Sequence, residues 1–361
     1  MAKGRIRRAV KDAIQKRIGR AAATDDGDVI VIKPKRETGA RRRKLKGVTK
    51  SVASTVAAQV VRTAEKSRVS EKVIQRLGEL RKALEVFNAE LKLQKYKVRE
   101  FQPKVKFSVD KGHFTVKTAE TPRELEDALR LRFTVFHKEY MKKSRTFGVD
   151  VDGLDFVCDH LIIRDNRTSE VVGTYRFNSS TYSSTFYSTS EFVLDQVLAL
   201  PGHKLEMGRA AIKKEYRTGA IISLLWRGLA EYMRLTQTRY LFGCSSVKTV
   251  DPLQIGLVTH YLDQIGAINR DYGVEPTKKF KVKTLRQALE YIEQNPYEYD
   301  ESTVEKQIPT LLASYIKAGS KVLGEPAIDN DFNCIDFLTL LDLHNMNPAY
   351  KKKFLNMEGE A

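Results

Sequence analysis

The residues best placed for chemistry include Glu206 and Arg209, three apart in a segment, Lys204 to Ile212, that reads as a β-strand. On a regular strand, positions three apart face opposite sides of the sheet. A β-bulge at Gly208 would bring both side chains to one side. It would also leave backbone N–H groups free to hold a developing oxyanion. The plain alternative is a surface ion pair on an edge strand. Further upstream, Leu125, Ala128, Leu129, Arg132, Phe133 and Phe136 share one helix face, so Arg132 sits inside an apolar stripe. A guanidinium buried there is costly unless carboxylates meet it. Asp152, Asp155 and Asp159 supply three carboxylates within eight residues. Beside Arg132 they would form an ionic cluster that could also receive a cationic amine; otherwise they are a solvated loop.

Other reactive residue types point to less. The acidic loop lacks the ligand number and spacing of an EF-hand. Cys158, Cys244 and Cys334 are three, widely spaced and without a CxxC pair, so neither a zinc site nor a disulfide framework is expected. Cys158 and Cys244 fall within strand patterns and read as small core residues. His160 lies on an apolar strand as a hydrogen-bonded structural histidine, and His260 reads as a helix-face residue. The run Tyr216-Arg217-Thr218-Gly219-Ala220-Ile221-Ile222 is a strand-to-helix turn, where backbone N–H groups can meet a phosphate.

The elements that must position these groups start at Thr121-Pro122-Arg123-Glu124, a helix-start signal with Thr as N-cap, Pro at N1 and Glu at N3. That helix is expected to run to about Tyr140. Strands over 158–164 and 171–178, joined by a polar turn, suggest an antiparallel hairpin. A strand over 204–212, a helix over 220–236, a strand over 239–245 and a helix over 253–265 follow. Strands near 278–284 and 333–343 flank a helix near 303–318. Antiparallel strands first, then alternating strands and helices, make a mixed α+β sheet. Ahead of this body, a helical stretch over 69–98 carries Val73, Leu77, Leu80, Leu84, Phe87 and Leu91 at helical spacing, to pack on the body or on a second subunit.

Charge divides the chain. Of 361 residues carrying a net +18, residues 1–115 hold 31 Lys and Arg against 12 Asp and Glu, whereas residues 116–361 hold 32 against 33. The excess positive charge therefore lies in a basic, partly helical N-terminal extension, 1–115, ahead of a near-neutral domain, 116–361. Within it, Ile6, Val10, Ala13, Ile14 and Ile18 form an apolar stripe flanked by Arg and Lys. Residues 1–20 could thus lie on an anionic membrane surface; the alternative is a solvated or RNA-binding arm. A 42% hydrophobic share with 16 Phe argues for a globular body. No apolar h-region follows the basic start, which argues against a signal peptide. The run Ala220 to Trp226, broken by Ser223, is far below the ~20 residues a spanning helix needs.

Taken in order, Leu131-Arg132-Phe133-Thr134-Val135-Phe136, Asp152-x-x-Asp155, Gly173-Thr174-Tyr175-Arg176-Phe177 and Glu206-x-x-Arg209 resemble the acyl-homoserine-lactone synthases of the GNAT superfamily. Cys158-Asp159-His160-Leu161, Phe186-Tyr187-Ser188-x-Ser190-Glu191-Phe192, Tyr240-Leu241-Phe242-Gly243-Cys244 and the stretch from Asp331-Phe332 to Leu341-Asp342-Leu343 are more similar still to ornithine acyl-carrier-protein N-acyltransferases, the first enzymes of ornithine-lipid synthesis. The resemblance covers about 230 of 361 residues and leaves out 1–115.

The resemblance implies a GNAT fold, a mostly antiparallel sheet splayed into a V with flanking helices, the acyl donor entering between the central strands. It implies Glu206 as general base and the strand around Met207 and Gly208 as oxyanion donor. Arg132, Asp152, Asp155, Arg176 and Arg209 would order the acceptor side, with Phe136 among the substrate-binding residues. Arg217 and Gly219 would face the donor's phosphopantetheine. No cofactor is held permanently: acyl-phosphopantetheine on acyl carrier protein, or less readily acyl-CoA, is the cosubstrate, and an ornithine-like amino acid the acceptor. Arg217-Thr218-Gly219-Ala220-Ile221-Ile222 lacks two glycines of the usual acetyl-CoA loop, which favours the carrier protein with its single phosphodiester. Tyr261 lies five residues before Gly266 rather than four, so it is not assigned as general acid. The expected site of action is the cytoplasm or the inner face of its membrane. Competing readings are a GNAT enzyme of another specificity, and an inactive GNAT-like protein that binds membrane or nucleic acid through its arm.

Overall fold

The computed structural model of the chain describes residues 71–141, 148–296 and 300–354. The basic stripe of residues 1–20 lies outside them. Helix α1 (Glu71–Lys95) leads to strands β1 (Ser108–Lys111) and β2 (Phe114–Thr118), then α2 (Pro122–Arg132). Strands β3 (Asp159–Asp165) and β4 (Glu170–Ser179) pair antiparallel, the hairpin expected. Short β5 (Phe192–Val193) and α3 (Asp195–Ala199) precede β6 (His203–Ile212), α4 (Gly219–Leu235), β7 (Thr238–Val247) and α5 (Pro252–Gln264). The remainder comprises β8 (Ile268–Asn269), β9 (Glu275–Pro276), α6 (Leu285–Gln294), α7 (Glu301–Glu305), α8 (Thr310–Ala318), β10 (Lys321–Leu323), β11 (Ala327–Asp329), β12 (Cys334–Asp342) and α9 (Pro348–Phe354).

One sheet runs β1-β2-β3-β4-β6-β7-β12-β10-β8, with β11 on β12. Its pairs are antiparallel except β6–β7 and β8–β10. This is the mixed, mostly antiparallel sheet with flanking helices that the sequence led us to expect. The β6–β7 pairing stops at Glu206↔Phe242, although β6 continues to Ile212 and β7 to Val247. Beyond that point β7 pairs with β12 and β6 with β4, so the sheet opens between its two central strands. Close approach just ahead of the opening demands Gly243: a Cβ there would lie 2.2 Å from the Met207 carbonyl oxygen.

The start of α2 has the capping box read from sequence: Thr121 Oγ1 accepts from the Glu124 N–H, and Glu124 accepts from the Thr121 N–H. The helix then changes pitch, and Phe133–Tyr140 is wound as a π-helix rather than continuing as α. Helix α4 lays Ile221, Leu225, Leu229 and Met233 on the sheet, one face of a core that includes Leu161, Phe177 and Leu241.

Three expectations change. Residues 89–115 belong to the body, because Ala89, Leu93, Val98 and Phe101 pack with Leu125, Ala128 and Leu129 of α2. Packing on the body thus begins ahead of residue 116, at least from Ala89. The α1 stripe is also different: Ala89 and Leu93 are buried while Leu80 and Phe87 are 38% and 47% exposed. Finally, 278–284 is no strand; it makes a single bridge, Lys281 to Ala327. A lone bridge suffices there because β12, not this segment, fills the place beside β7. Among the described residues, no helix is long and apolar enough to cross a membrane.

Candidate active site

The gap between β6 and β7 is a cavity of about 250 Å³ lined by Phe136, Arg176, Glu206, Gly208 and Arg209, all of them expected site residues. Tyr175, Tyr315 and Leu312 form apolar wall, with the two tyrosine hydroxyls hydrogen-bonded to each other. Phe136 and Tyr140, four apart on the π-helical segment, both line this cavity.

Glu206 is 5% exposed, and its two oxygens accept from the backbone N–H groups of Tyr187 (2.8 Å) and Ser188 (2.7 Å). Those bonds fix the carboxylate, yet each oxygen keeps a lone pair for a proton. The bulge exists, but one residue later than expected. Arg176 pairs with Gly208 and Thr174 with Ala211, so Arg209 and Ala210 together oppose Tyr175. Arg209 itself adopts φ 58°, the left-handed region that a non-glycine residue rarely takes. Gly208 keeps its ladder partner on the β4 side, and the bulge adds the backbone of Arg209 and Ala210 to Met207 and Gly208 as candidate oxyanion donors. On the side facing β7, the strand has no ladder partner after Glu206, which opens its backbone to the gap.

The Arg209 guanidinium lies 5.4 Å from the ring centres of both Tyr187 and Phe332, and donates to Asp152 at 3.2 Å. Asp152 also receives Arg176 at 2.8 Å. Arg176 continues to Asp155 (3.1 Å), which receives Arg132 at 2.6 Å. Asp150, not singled out from sequence, takes Arg132 through Nε (2.9 Å) and Nη2 (2.7 Å), and His137 at 3.1 Å. Three arginines thus meet three aspartates. Against the cost of burial, the charges of Arg132 and Arg209 hold the Asp150 carboxyl well below its ordinary range, and those of Arg176 and Arg209 do so for Asp152.

This balance corrects two expectations. Arg132 and Asp155 are 1% and 0% exposed and do not line the cavity, so they support the site rather than meet a substrate; Asp155 holds Arg176, and Arg132 holds Asp155. Asp150 and Asp155, buried and matched by guanidinium, are not open to a cationic amine, whereas the Asp152 side chain stays 32% exposed beside Arg176 and Arg209. Asp159 is elsewhere, accepting from the Lys104 and Val105 N–H groups and the Tyr232 hydroxyl. His160 is structural as read: it is fully buried, with Nε2 2.9 Å from the Asp155 carbonyl.

Arg217 and Gly219 lie outside the cavity. Arg217 donates to Glu139 (2.6 Å) and to the Ile212 carbonyl, and Gly219 is exposed in the first turn of α4, whose N-cap Thr218 makes no side-chain cap. Amides at such a helix start can still meet a phosphate.

The opposite wall was not assigned from sequence. Asp329, Cys334 and Asp336 line it, with ligand atoms all within 4.8 Å of one another. Ser246 donates to Asp336, and the Asp331 and Phe332 N–H groups donate to Asp329. Cys244 bridges the walls, its Sγ 3.5 Å from both Ser188 Oγ and Glu191 Oε2. Burial, then the charges of Glu191 and Asp336, push its thiol well above the ordinary value, so it is no nucleophile. Glu191 stood inside a family-like motif and Asp336 inside a strand pattern, but neither carried a local signal for a site.

Residues 131–227 match the family model described as Acetyltransferase (GNAT) domain, a span that includes the ion cluster, Glu206, Arg209, Arg217 and Gly219. The L-ornithine N(alpha)-acyltransferase of Brucella abortus is 26% identical over 254 residues, covering 66% of this chain and 88% of its own length. That of Rhodobacter capsulatus is 26% identical over 269 residues, covering 69% of this chain and 97% of its own. The solved structure of the AHL synthase LasI overlays 68% of this chain and 96% of its own, with a TM-score of 0.38 and 13% identity. From the matched domain and the named relatives, this chain carries an N-acyltransferase domain of the GNAT superfamily.

Proposed function

We propose that the protein transfers a long-chain, 3-hydroxylated fatty acyl group from acyl carrier protein to the α-amine of ornithine. The acceptor is suggested by the relatives, whose shared name is L-ornithine N(alpha)-acyltransferase and which this chain spans almost fully. The observation that carries the reading is Glu206, a fixed carboxylate on the wall of the cavity where β6 and β7 part. The carrier-bound donor is favoured by the glycine-poor turn at 217–222 and by the basic residues of 1–115.

An α-ammonium must lose a proton before it can attack. Glu206 takes that proton, directly or through one water. The amine lone pair then adds to the thioester carbonyl carbon, and the carbonyl oxygen becomes an oxyanion beside the open backbone between Met207 and Ala210. Collapse re-forms the carbonyl, breaks the C–S bond and expels the phosphopantetheine thiolate, which takes up the second proton that the nitrogen sheds as it becomes the amide. Arg176 and Arg209, anchored through Asp152 and Asp155, hold the acceptor side rigid.

The test is single-turnover transfer from 3-hydroxyacyl carrier protein to ornithine by the wild type and by Glu206→Gln. The expected loss in the variant is about 100-fold or more. Equal rates would remove Glu206 from the chemistry, and no transfer by the wild type would remove the acceptor or donor assigned.

A further inference from the structure

Two acids on the far wall of the cavity, Asp329 and Asp336, and Glu191 just behind it form no ion pair among the described residues, although the Arg209 charge reaches Asp336. Glu191, Asp329 and Asp336 are 1%, 7% and 4% exposed, and no Lys, Arg or His among the described residues pairs with them. Glu191 Oε1 has no partner within hydrogen-bond distance among the described residues, although the Tyr187 hydroxyl and the Cys244 thiol act on the same carboxyl. Buried carboxylates left this way are expensive, and such an arrangement persists where a ligand completes it. The contrast with the Arg132 cluster is sharp, because there every aspartate is matched by a guanidinium.

Resting on the function proposed above, we propose that Glu191, Asp329 and Asp336 receive the side-chain ammonium of the amino-acid acceptor and so select a diamino acid. Asp329 and Asp336 line the cavity, and Glu191 stands behind Cys244, which it reaches at 3.5 Å. Glu206, the acceptor's proton sink, lines the same cavity as Cys244, Asp329 and Asp336. An amino acid with its α-amine at Glu206 can therefore reach Asp329 and Asp336 with its side chain inside the one cavity. A second ammonium there meets acid rather than hydrocarbon. The electrostatics agree: burial and then the charge of Asp336 raise the Glu191 carboxyl, while burial and Asp329 raise that of Asp336. A bound cation relieves both.

A metal ion is the competing occupant. Two carboxylates and one thiol match neither the all-oxygen shells of Ca²⁺ and Mg²⁺ nor the Cys and His sets that hold structural zinc. An ammonium needs only convergent acceptors, and it offers Glu191 Oε1 a donor.

The experiment compares ornithine with norvaline, which is ornithine without its terminal amine, as acceptors for the full chain with acyl carrier protein as donor. Wild type is expected to favour ornithine by about 100-fold or more in kcat/KM. Asp336→Asn and Asp329→Asn are each expected to cut that ratio by about tenfold or more. A merely structural loss would lower both acceptors in parallel and leave the ratio standing, which overturns the proposal. If Asp336→Asn does not fold, Asp329→Asn and the wild-type ratio still decide. Equal use of both acceptors by the wild type overturns this site and leaves the acyltransferase reading intact. Transfer to neither overturns the ornithine reading, and this site falls with it. Ornithine transfer abolished by EDTA and restored by Mg²⁺ or Zn²⁺ would assign the acids to a metal instead.

Discussion

His160 shows how tightly the site's supports are built. Its ring packs edge-on against Phe101, 5.8 Å between centroids, beside the Arg132–Asp155 pair. Burial lowers its pKa from 6.5 to about 4, with the Asp155 charge opposing. The folded chain therefore binds this proton less readily than the unfolded chain does. No cost arises above about 6.5; as pH falls toward about 4, roughly 3 kcal/mol of stability is lost. His160→Gln should flatten the pH dependence of urea unfolding across that window. An unchanged slope would place the acid sensitivity on another group. At this same scale the sequence revealed Arg132, because a guanidinium inside an apolar stripe is anomalous wherever it falls. Asp150 escaped notice because an aspartate between Val149 and Val151 has no such context. Glu191, Asp329 and Asp336 escaped for a stronger reason: they lie up to 145 residues apart, and only the fold places them together.

Elements position what residues supply. The β6 strand carries Glu206 and the bulge, and its parting from β7 makes room for two substrates. Gly243 sets where that parting begins, since any side chain would strike the Met207 carbonyl. Gly243→Ala is expected to cost about 1–3 kcal/mol and to lower acyl transfer, because β6 must shift to admit the methyl group. Thermal unfolding and the transfer assay measure both. A fully stable, fully active variant would show that the two strands move apart freely. The bulge itself was foreseen but misplaced, for a physical reason. Glycine is the usual guess for a left-handed residue, yet here Arg209 takes φ 58° while Gly208 stays in the ladder. Its guanidinium, bonded to Asp152 and lying by the Tyr187 and Phe332 rings, holds that geometry from the far end of the side chain.

Charge is organised at the scale of the whole molecule. The basic residues gather in 1–115, away in sequence from the catalytic segments, and suit an acidic carrier protein or an anionic surface. Electrostatic steering of that kind weakens with salt, as the screening length falls below ~10 Å. Raising ionic strength from about 0.05 to 0.5 M should raise KM for the acyl carrier protein about tenfold, with far less change for a bare acyl-pantetheine donor. Equal salt responses would separate the basic extension from donor recognition.

By itself the sequence determined the alternation of strands and helices, the Thr121 capping box, the buried Arg132 and the Glu206–Arg209 pair. Each of these is a local pattern: a period, a cap, or a charge where hydrocarbon belongs. Tertiary structure alone decided which acids meet arginines and which do not, because pairing across β6, β7 and β12 is set by strand order and register. It also decided that Arg132 and Asp155 stay off the cavity wall while Asp329 and Asp336 line it. Burial depends on what packs above a residue, and that neighbour belongs to another part of the chain.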